Sequence, residues 1–224
     1  MESLDEIKSR IEAAVPGAKI EIVQNGSPSE QRSLLIDNDR AVAIARFLRV
    51  DPALCLDFCS NVTGVDWLDR VVKKITKVKK LVDGQEKEIV ETTEEKIPGY
   101  LEAVYHLYSM THKHGPVIIR MRTNDRADGN HLPSLTPIWR SAEFQEREIF
   151  DLYGIRFEGH HDLRRILMWD EFENYPMRKD YREPDDYEWE PTPHDEVLEK
   201  AKVHYAVRPQ LDGAEKITAT DSDG

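Results

Sequence analysis

EREIFDLYGIRFEGHHDLRRILMWDEFENYPMRKDY, residues 146–181, combines fixed charges, a stop glycine and a doubled arginine at close spacing. Its first part predicts a helix that Ser141 caps and Gly154 ends, since serine favours the N-terminus of a helix and glycine the C-terminus. With about 100° of rotation per residue, Glu146 lies in the middle of the apolar face that also carries Ile149. A glutamate at that position needs a partner when the helix packs.

Charges near this helix supply candidate partners. The following loop carries Arg164 and Arg165, and we expect one of them to pair with Glu146, because breaking a buried pair costs about 3 to 5 kcal/mol. Glu148 lies off the apolar face. On another face, charges recur at every fourth residue, which predicts surface ion pairs among Glu143, Arg147 and Asp151.

The alternative for this block is general acid–base catalysis by Glu146, Glu148 and His160. Burial and charged neighbours do shift carboxylate pKa values at active sites, but structural ion pairs shift them as well. The sequence places no nucleophile, metal motif or phosphate loop beside these residues. We therefore predict a structural or interface role and no catalytic residue.

The segments upstream predict an α+β two-layer domain with helices packed on a mixed sheet. In chain order, the predicted elements are a helix that starts at a Ser3/Glu6 capping box, strands at 18–23 and 33–36, a helix capped by Asn38 and Asp39, a short strand at 62–67, and a hairpin of residues 101–107 and 116–122. Periodicity alone leaves the order of the strands open.

Residues 70–98 form a charged insertion in this scheme. The first half is basic and the second half acidic, on either side of Asp83 and Gly84, which predicts a hairpin whose lysines face glutamates across two strands. Exposed pairs of this kind contribute only about 0.2 to 1 kcal/mol each, so a solvated loop is an equally open alternative. We place the α+β domain at residues 1–181, with the insertion inside it.

Residues 182–224 differ from the domain in composition. They begin with REPDDYEWEPTPH, a stretch that is acidic, rich in proline and aromatic. Its Tyr187 and Trp189 favour a strap over a partner surface, whereas residues 211–224 are expected to be disordered. We therefore predict an extended, partly disordered tail that wraps a partner.

Composition excludes several classes of function. A net charge of −12 over 224 residues argues against binding nucleic acid or an anionic membrane, because both require a basic surface. No apolar run approaches the roughly 20 residues of a transmembrane helix. The N-terminus lacks the apolar core of a signal peptide, so we expect the chain to start and stay in the cytoplasm.

Metal and cofactor motifs are also missing from the sequence. Cys55 and Cys59 are four residues apart, which would place them on one face of a helix as core thiols rather than as a metal or redox site. The histidines form no metal-binding array, and the glycines form neither of the common nucleotide-binding loops. We predict that the chain itself binds no cofactor and no metal.

The block at 146–181 resembles the signature of the 30-kilodalton subunit family of NADH:quinone oxidoreductase (respiratory complex I), called the C-type subunit in bacteria. The matching residues are Glu146, Arg147, Glu148, Asp151, Gly154, Phe157, Gly159, His160, Asp162, Leu163, Arg164, Arg165, Ile166, Leu167, Pro176, Arg178, Lys179, Asp180 and Tyr181. The sequence departs from the pattern at His161, where proline is usual, at Met177, where leucine is common, and at Arg182, where a second proline often follows. The resemblance extends more loosely over residues 1–190.

The resemblance implies a non-catalytic structural subunit in the hydrophilic arm of the proton-translocating enzyme. It implies packing mainly against the 49-kilodalton subunit (the bacterial D-type subunit), with the B-type subunit and the quinone site nearby, while FMN and the iron–sulfur clusters are bound by partner subunits. It also implies a peripheral location on the cytoplasmic side of the bacterial inner membrane, with membrane contact only through the complex. Related complexes that take electrons from ferredoxin or reduced coenzyme F420, and membrane-bound hydrogenases, remain alternatives.

Overall fold

The computed structural model describes residues 2–26, 28, 30–82 and 85–182, with the backbone alone over residues 73–82 and 85–93. Its elements follow the chain in this order: α1 (Leu4–Ala14), β1 (Ile20–Gln24), β2 (Arg32–Ile36), α2 (Ala41–Val50), β3 (Phe58–Trp67), β4 (Arg70–Val82), β5 (Gln85–Ile97), β6 (Tyr100–Ser109), β7 (His114–Arg122), β8 (His131–Pro133), a 3₁₀ turn (Arg140–Ala142), α3 (Glu143–Tyr153) and β9 (Arg156–Glu158).

Five strands form the main sheet in the order β1-β2-β7-β6-β3. β2 and β7 run parallel, with Leu34 opposite Ile119, and the other neighbouring strands are antiparallel. The sheet is therefore mixed, which confirms the predicted α+β class. β8 and β9 form a separate parallel pair, which the sequence did not predict.

One face of the main sheet carries the core. Along β6 the alternate residues Leu101, Ala103, Tyr105 and Leu107 are fully buried. They belong to one apolar cluster with residues from every helix, namely Ile7, Ile11, Ile44, Leu48 and Ile149. Because alternate residues of a strand point to the same face, the three helices pack on that single face and complete two layers.

The start of α1 matches the prediction. The Ser3 hydroxyl accepts a hydrogen bond from the Glu6 N–H at 3.3 Å, and the Glu6 carboxylate accepts one from the Ser3 N–H at 2.7 Å. This reciprocal capping box satisfies backbone donors that a helix start otherwise leaves without partners.

The caps predicted for the other two helices are wrong. α2 begins at Ala41 without a side-chain cap; Asp37, rather than Asn38 or Asp39, accepts a hydrogen bond from the N–H of Arg40 at 2.8 Å. Ser141 does not cap α3 either, because its hydroxyl donates to a carbonyl group of β3 at 2.8 Å. Asn38 instead donates from its side chain to the carbonyl oxygen of Arg122 at 2.8 Å, so Asn38 and Ser141 both make tertiary contacts in place of the caps that the local sequence predicts.

β3 is longer than the predicted strand at 62–67, and its pairing with β6 shifts between Cys59 and Asn61. The helix face expected for the two cysteines is wrong, since Cys55 lies in a turn with a φ of 42° and Cys59 lies in β3. Cys59 is nevertheless a core residue. Burial raises the pKa of its thiol to about 12, which keeps it protonated and unreactive.

The charged insertion consists of β4 and β5, which pair with each other in a two-stranded sheet of their own. The register sets Lys73 opposite Glu94 and Lys79 opposite Glu88, but Lys80 opposite Lys87. Opposite charges therefore match in only part of the ladder. The predicted side-chain pairing across this hairpin lies outside what the structure describes.

The predicted tail, apart from Arg182, also lies outside the described residues. In the part of the chain that is described, no helix has the length and apolar character needed to cross a bilayer.

Candidate functional site

The carboxyl group of Glu146 is enclosed in the core between α3, β6 and the loop after β8. Oε1 accepts hydrogen bonds from the Tyr105 hydroxyl at 3.0 Å and from the Leu135 N–H at 2.9 Å. Oε2 accepts one from the Ser134 hydroxyl at 2.6 Å. The β8–β9 pair positions this loop, because Ser134 follows directly after β8.

The expected pairing of Glu146 with Arg164 or Arg165 is wrong. Within the described residues no cation contacts Glu146, whose partners are two hydroxyls and one N–H. Arg165 binds Asp151 at 2.7 Å, and Arg164 binds Asp162 at 3.0 Å. Each arginine is therefore taken by a carboxylate other than the one that the helical spacing indicated.

Burial raises the pKa of Glu146 to about 7, although its three hydrogen bonds act in the opposite direction. The Ser134 hydroxyl also lies 2.8 Å from the hydroxyl of Thr136. A hydroxyl can both donate and accept, so Ser134 can donate to a carboxylate or accept from a carboxylic acid. Both protonation states of Glu146 can be hydrogen-bonded without a cation.

Asp151 is fully buried, so its predicted place in a surface ion pair is wrong. Oδ2 accepts hydrogen bonds from the N–H groups of Ile166, Leu167 and Met168 at 3.0, 2.6 and 2.9 Å. Oδ1 accepts one from Arg165 at 2.7 Å. Burial acts to raise the pKa of Asp151, but these donors outweigh it and hold the pKa below its ordinary value. One carboxylate thus fixes the backbone of the segment that follows the doubled arginine.

Arg147 is also buried rather than on the surface. Its guanidinium donates to the carbonyl oxygens of Arg164 at 3.1 Å and Arg165 at 3.0 Å, and lies 3.6 Å from the carboxylate of Asp162. α3 therefore holds the segment through Arg147 as well as through Asp151.

The acid–base trio of the alternative interpretation is not assembled. The Asp162 N–H donates to Nδ1 of His160 at 3.1 Å, and Nε2 lies 3.0 Å from the carbonyl oxygen of Glu143. Both ring nitrogens of His160 are therefore engaged by backbone groups of the chain. Among the described residues no hydrogen bond joins His160 to Glu146 or to Glu148, and Glu148 is exposed.

The segment that ends the block returns to the C-terminus of α3. Arg178 donates to the carbonyl oxygen of Tyr153 at 2.7 Å and to Asp128 at 2.8 Å, and its guanidinium lies 4.6 Å from the centre of the Tyr175 ring. Gly154 has a φ of 80°, and a Cβ there would lie 2.6 Å from Tyr175 and 2.7 Å from Arg178. Glycine is required at this position both by the backbone and by the close approach.

Asp66, at the end of β3, joins three distant parts of the chain. Its carboxylate accepts two hydrogen bonds from Arg126, at 2.6 and 2.7 Å, and one from the Lys179 N–H at 2.8 Å. Arg126 also binds Asp180 at 2.8 Å. Burial acts to raise the pKa of Asp66, but the hydrogen bonds from Arg126 and Lys179 lower it overall. The last matching residues of the block are thereby bound to the main sheet.

Asp151, Arg147 and Arg178 hold the segment that follows α3. On α3 and on this segment, five large apolar side chains remain 38–60% exposed. We refer to them as the exposed apolar group: Phe144, Ile166, Leu167, Trp169 and Met177. Large apolar residues shown to solvent in this way are typical of protein interfaces. Asp151, Arg147 and Arg178 thus bind other parts of the chain, while the exposed apolar group faces solvent.

The two buried carboxylates of the block, those of Glu146 and Asp151, are occupied by donors from the chain. Within the described residues, no three histidine, cysteine, aspartate or glutamate side chains converge as metal ligands. The site can therefore hold a segment of backbone in a fixed shape, but its described groups form no metal centre.

Sequence reasoning missed Tyr105, Ser134, Asp66 and Arg126. Tyr105 lies 41 residues from Glu146, and Asp66 lies 60 residues from Arg126. The one available signal for Asp66 was a polar residue at an inward position of an apolar strand. The hydroxyl groups carried no charge pattern that could reveal their partner.

Comparisons with known proteins agree with this geometry. Residues 34–187 match the family model described as respiratory-chain NADH dehydrogenase, 30 Kd subunit. The second C-type subunit of the NADH-quinone oxidoreductase of Rhizobium meliloti (strain 1021) is 38% identical over 143 residues, which cover 64% of this chain and 62% of that one. The C-type subunit of the NADH-quinone oxidoreductase of Roseiflexus castenholzii (strain DSM 13941 / HLO8) is 35% identical over 177 residues, 78% of this chain and 81% of the relative.

Several relatives are longer, and the chain spans less than two thirds of their length. Among solved structures, a chain of the membrane-bound sulfane sulfur reductase, an archaeal respiratory membrane complex, has a TM-score of 0.52 at 20% identity. The match covers 96% of this chain and 98% of that one. That likeness is one of fold.

Proposed function

Because this chain belongs to the family of the 30 Kd subunit of respiratory-chain NADH dehydrogenase, we propose that it is a non-catalytic structural subunit of a proton-translocating NADH:quinone oxidoreductase. In this role the chain binds neighbouring subunits and keeps their relative positions fixed. Electron transfer from NADH through FMN and iron–sulfur clusters to quinone belongs to those neighbours, and this chain binds none of these groups.

The observation that supports the proposal is that charged residues of the block bind other parts of the same chain. Asp151 and Arg147 bind the backbone of residues 164–168, and Arg178 binds the end of α3. A catalytic acid or base must reach a substrate proton, whereas a scaffold must hold an interface in one shape. The exposed apolar group on the same segment supplies such an interface.

The partner that we propose for this surface is the 49-kilodalton subunit (the bacterial D-type subunit), with the B-type subunit nearby. The complex would lie on the cytoplasmic side of the bacterial inner membrane, and this chain would be attached to the membrane only through its neighbours. The naming of the relatives as subunits of a quinone-linked enzyme supports a place in a complex; the particular partners and the side of the membrane are inferred from the family resemblance of the block.

Native purification through a tag on this chain tests the function. We expect co-purification of subunits that carry flavin and iron–sulfur clusters, with quinone-linked NADH oxidation in the purified complex. The isolated chain should be colourless above the aromatic absorption band and should oxidise no NADH. A stoichiometric cofactor spectrum in the isolated chain, or purification without redox partners, would contradict the proposal.

Leu167→Asp tests the surface. Leu167 is 58% exposed, so the variant should melt like the wild type but should be lost from the complex, because a charge in an apolar interface stays unpaired. Val42→Asp is the control, since Val42 is 38% exposed on α2, which carries no member of the exposed apolar group. Equal retention of both variants in the complex would refute this interface.

A further inference from the structure

A cleft of about 550 Å³ opens on a part of the domain that the exposed apolar group does not line. Its walls come from the end of α2 (Arg49), the start of β3 (Asp57 and Phe58), the 3₁₀ turn before α3 (Arg140) and the loop after β9 (His161). The volume falls inside the range of about 300 to 1,000 Å³ in which proteins bind ligands. None of the contacts that hold residues 164–180 in place uses this cleft.

The two carboxylates that line the cleft already have partners within the chain. The two carboxylate oxygens of Asp57 accept hydrogen bonds from the Met110 N–H at 2.7 Å and from the Thr111 hydroxyl at 2.8 Å. Glu143, also on the wall, is 3.0 Å from Nε2 of His161. A basic group entering the cleft would have to compete with these contacts.

The donors in the cleft are not occupied in the same way. The Arg140 side chain is 93% exposed, and among the described residues its nearest carboxylate is Glu143 at 3.7 Å, beyond hydrogen-bond distance. Arg49 directs one N–H to the carbonyl oxygen of Ile138 and carries further N–H groups. Among the charged side chains of the cleft, the guanidinium groups therefore keep N–H donors for a ligand, and such donors match carboxylates best.

An apolar surface adjoins these donors. Phe58 is 41% exposed and Pro137 is exposed on the same wall. We propose that the cleft is a second docking site, which binds an acidic segment of a neighbouring subunit so that a carboxylate meets Arg140 and Arg49 while an apolar side chain of that segment covers Phe58. The inference rests on the proposed function, in which the chain is one subunit of a larger complex.

Photo-crosslinking in the purified complex identifies the occupant. Phe58 is replaced by p-benzoylphenylalanine, which keeps an aromatic ring at the position. The same replacement at Val42, which is 38% exposed and does not line the cleft, is the control. We expect Phe58, but not Val42, to crosslink to a segment of another subunit that carries aspartate or glutamate close to the crosslinked residue. A crosslink to a second copy of this chain, to a segment without acidic residues, or to no protein at all would overturn the inference.

Charge reversal at Arg140 tests the chemistry independently. Because like charges facing each other across an interface are strongly unfavourable, Arg140→Glu should lower retention of the chain in the complex by about tenfold, whereas Arg140→Lys should stay within about twofold of wild type. Arg40→Glu is the control, since Arg40 is another exposed arginine, directly before α2, and does not line the cleft. Thermal melting of each isolated variant should match that of the wild type. Equal retention of Arg140→Glu and Arg40→Glu would refute the role of Arg140.

The two proposals fail in different ways. If wild-type chain does not purify with redox subunits, the proposed function fails. If it does, and Phe58 meets no acidic segment, the docking site alone is wrong.

Discussion

Two buried carboxylates of α3 show how the environment of a single residue decides its charge. Asp151 receives three N–H groups and a guanidinium, and its pKa is held below the ordinary value. Glu146 receives two hydroxyls and one N–H, with no cation among the described residues, and burial raises its pKa to about 7. Donors from an arginine and from a turn of backbone compensate for lost hydration, whereas hydroxyl groups do so only in part.

Glu146→Gln should remove a pH dependence from the stability of the domain. The folded pKa is about 7 and the reference value is 4.5, so between these values the folded state keeps a proton that the unfolded state has lost. This stabilisation is complete below pH 4.5 and is lost as the pH rises through 7, by about 3 kcal/mol in total. Urea unfolding of wild type and variant from pH 5 to 8 measures it, with Glu148→Gln as control. Parallel curves for wild type and Glu146→Gln would contradict the assignment.

Glu146→Ala should destabilise the domain far more than Glu148→Ala. Removing the carboxyl group leaves the Tyr105 hydroxyl and the Leu135 N–H buried without an acceptor, at about 1 to 3 kcal/mol each, whereas Glu148 is exposed and should change stability by about 0.5 kcal/mol or less. Thermal melting of the isolated chain compares the two. Normal melting and assembly of Glu146→Ala with loss of quinone-linked turnover would instead favour a catalytic role.

At this scale the sequence predicted that Glu146 is buried and needs a partner, and it named the wrong one. Helical spacing locates a residue on a face, but the partner came from β6 and from the loop after β8, which spacing within α3 does not reach. For Asp151 too, the sequence offered only charge pairing as a guide to its partners. In the structure, three of the four groups that donate to its carboxylate side chain are backbone N–H groups. Contacts to backbone and hydroxyl groups leave little trace in a sequence.

Among the elements, α3 is the one whose ends matter most for the site. Its C-terminal glycine was predictable, because helices commonly end at a residue in the left-handed conformation, which glycine adopts most easily. Its start was not, because Ser141 binds β3 instead of the helix. The additional residues of β3 and the β8–β9 pair were not predicted for the same reason, because they too depend on contacts between distant segments.

Gly154→Ala should cost markedly more stability than Gly159→Ala. Both glycines have a positive φ, 80° and 82°, so both variants carry the same backbone strain of about 1 kcal/mol. Only at Gly154 does the added Cβ meet neighbours, the Tyr175 ring and Arg178, whereas nothing lies within 4 Å at Gly159. The free energy of unfolding, measured in urea, gives the difference. Equal losses would show that Tyr175 and Arg178 move aside freely.

Replacing residues 73–96 by a short Gly-Ser turn should lower the melting temperature by less than about 4 °C, or about 1 kcal/mol. β4 and β5 pair with each other and not with the main sheet, and the ion pair of Lys96 with Asp69 at 2.9 Å is exposed, so it contributes little. Thermal melting by circular dichroism checks this. A larger loss would show that the hairpin packs on the domain, and loss of assembly alone would identify it as a docking arm.

For the whole molecule, helical stripes and alternating strands were enough to predict the α+β class. The order of the strands was not predictable, because it depends on the parallel pairing of β2 with β7, and those strands are separated by α2 and four other strands. Periodicity tells which face of a strand is buried and not which strand lies beside it.

Ending the chain after Tyr181 should leave the domain folded and weaken its capture by the complex. The described contacts of the block are complete by that residue, whose N–H donates to the Arg178 carbonyl oxygen at 3.0 Å. The removed residues are polar and rich in proline, which favours a partner-binding strap over a part of the core. Melting and pull-down separate the two effects. Loss of the cooperative melt would show that the tail belongs to the core.

The meeting of Asp66 with Lys179 has a consequence for synthesis on the ribosome. The two residues are 113 positions apart, so at 5 to 20 residues per second roughly 6 to 23 s separate their translation. During that interval Asp66 can bind Arg126, but one acceptor position of its carboxylate stays hydrated, because the Lys179 N–H has not yet been synthesised. The domain can therefore complete its fold only after Lys179 has been translated, and the end of the block acts as the closing step.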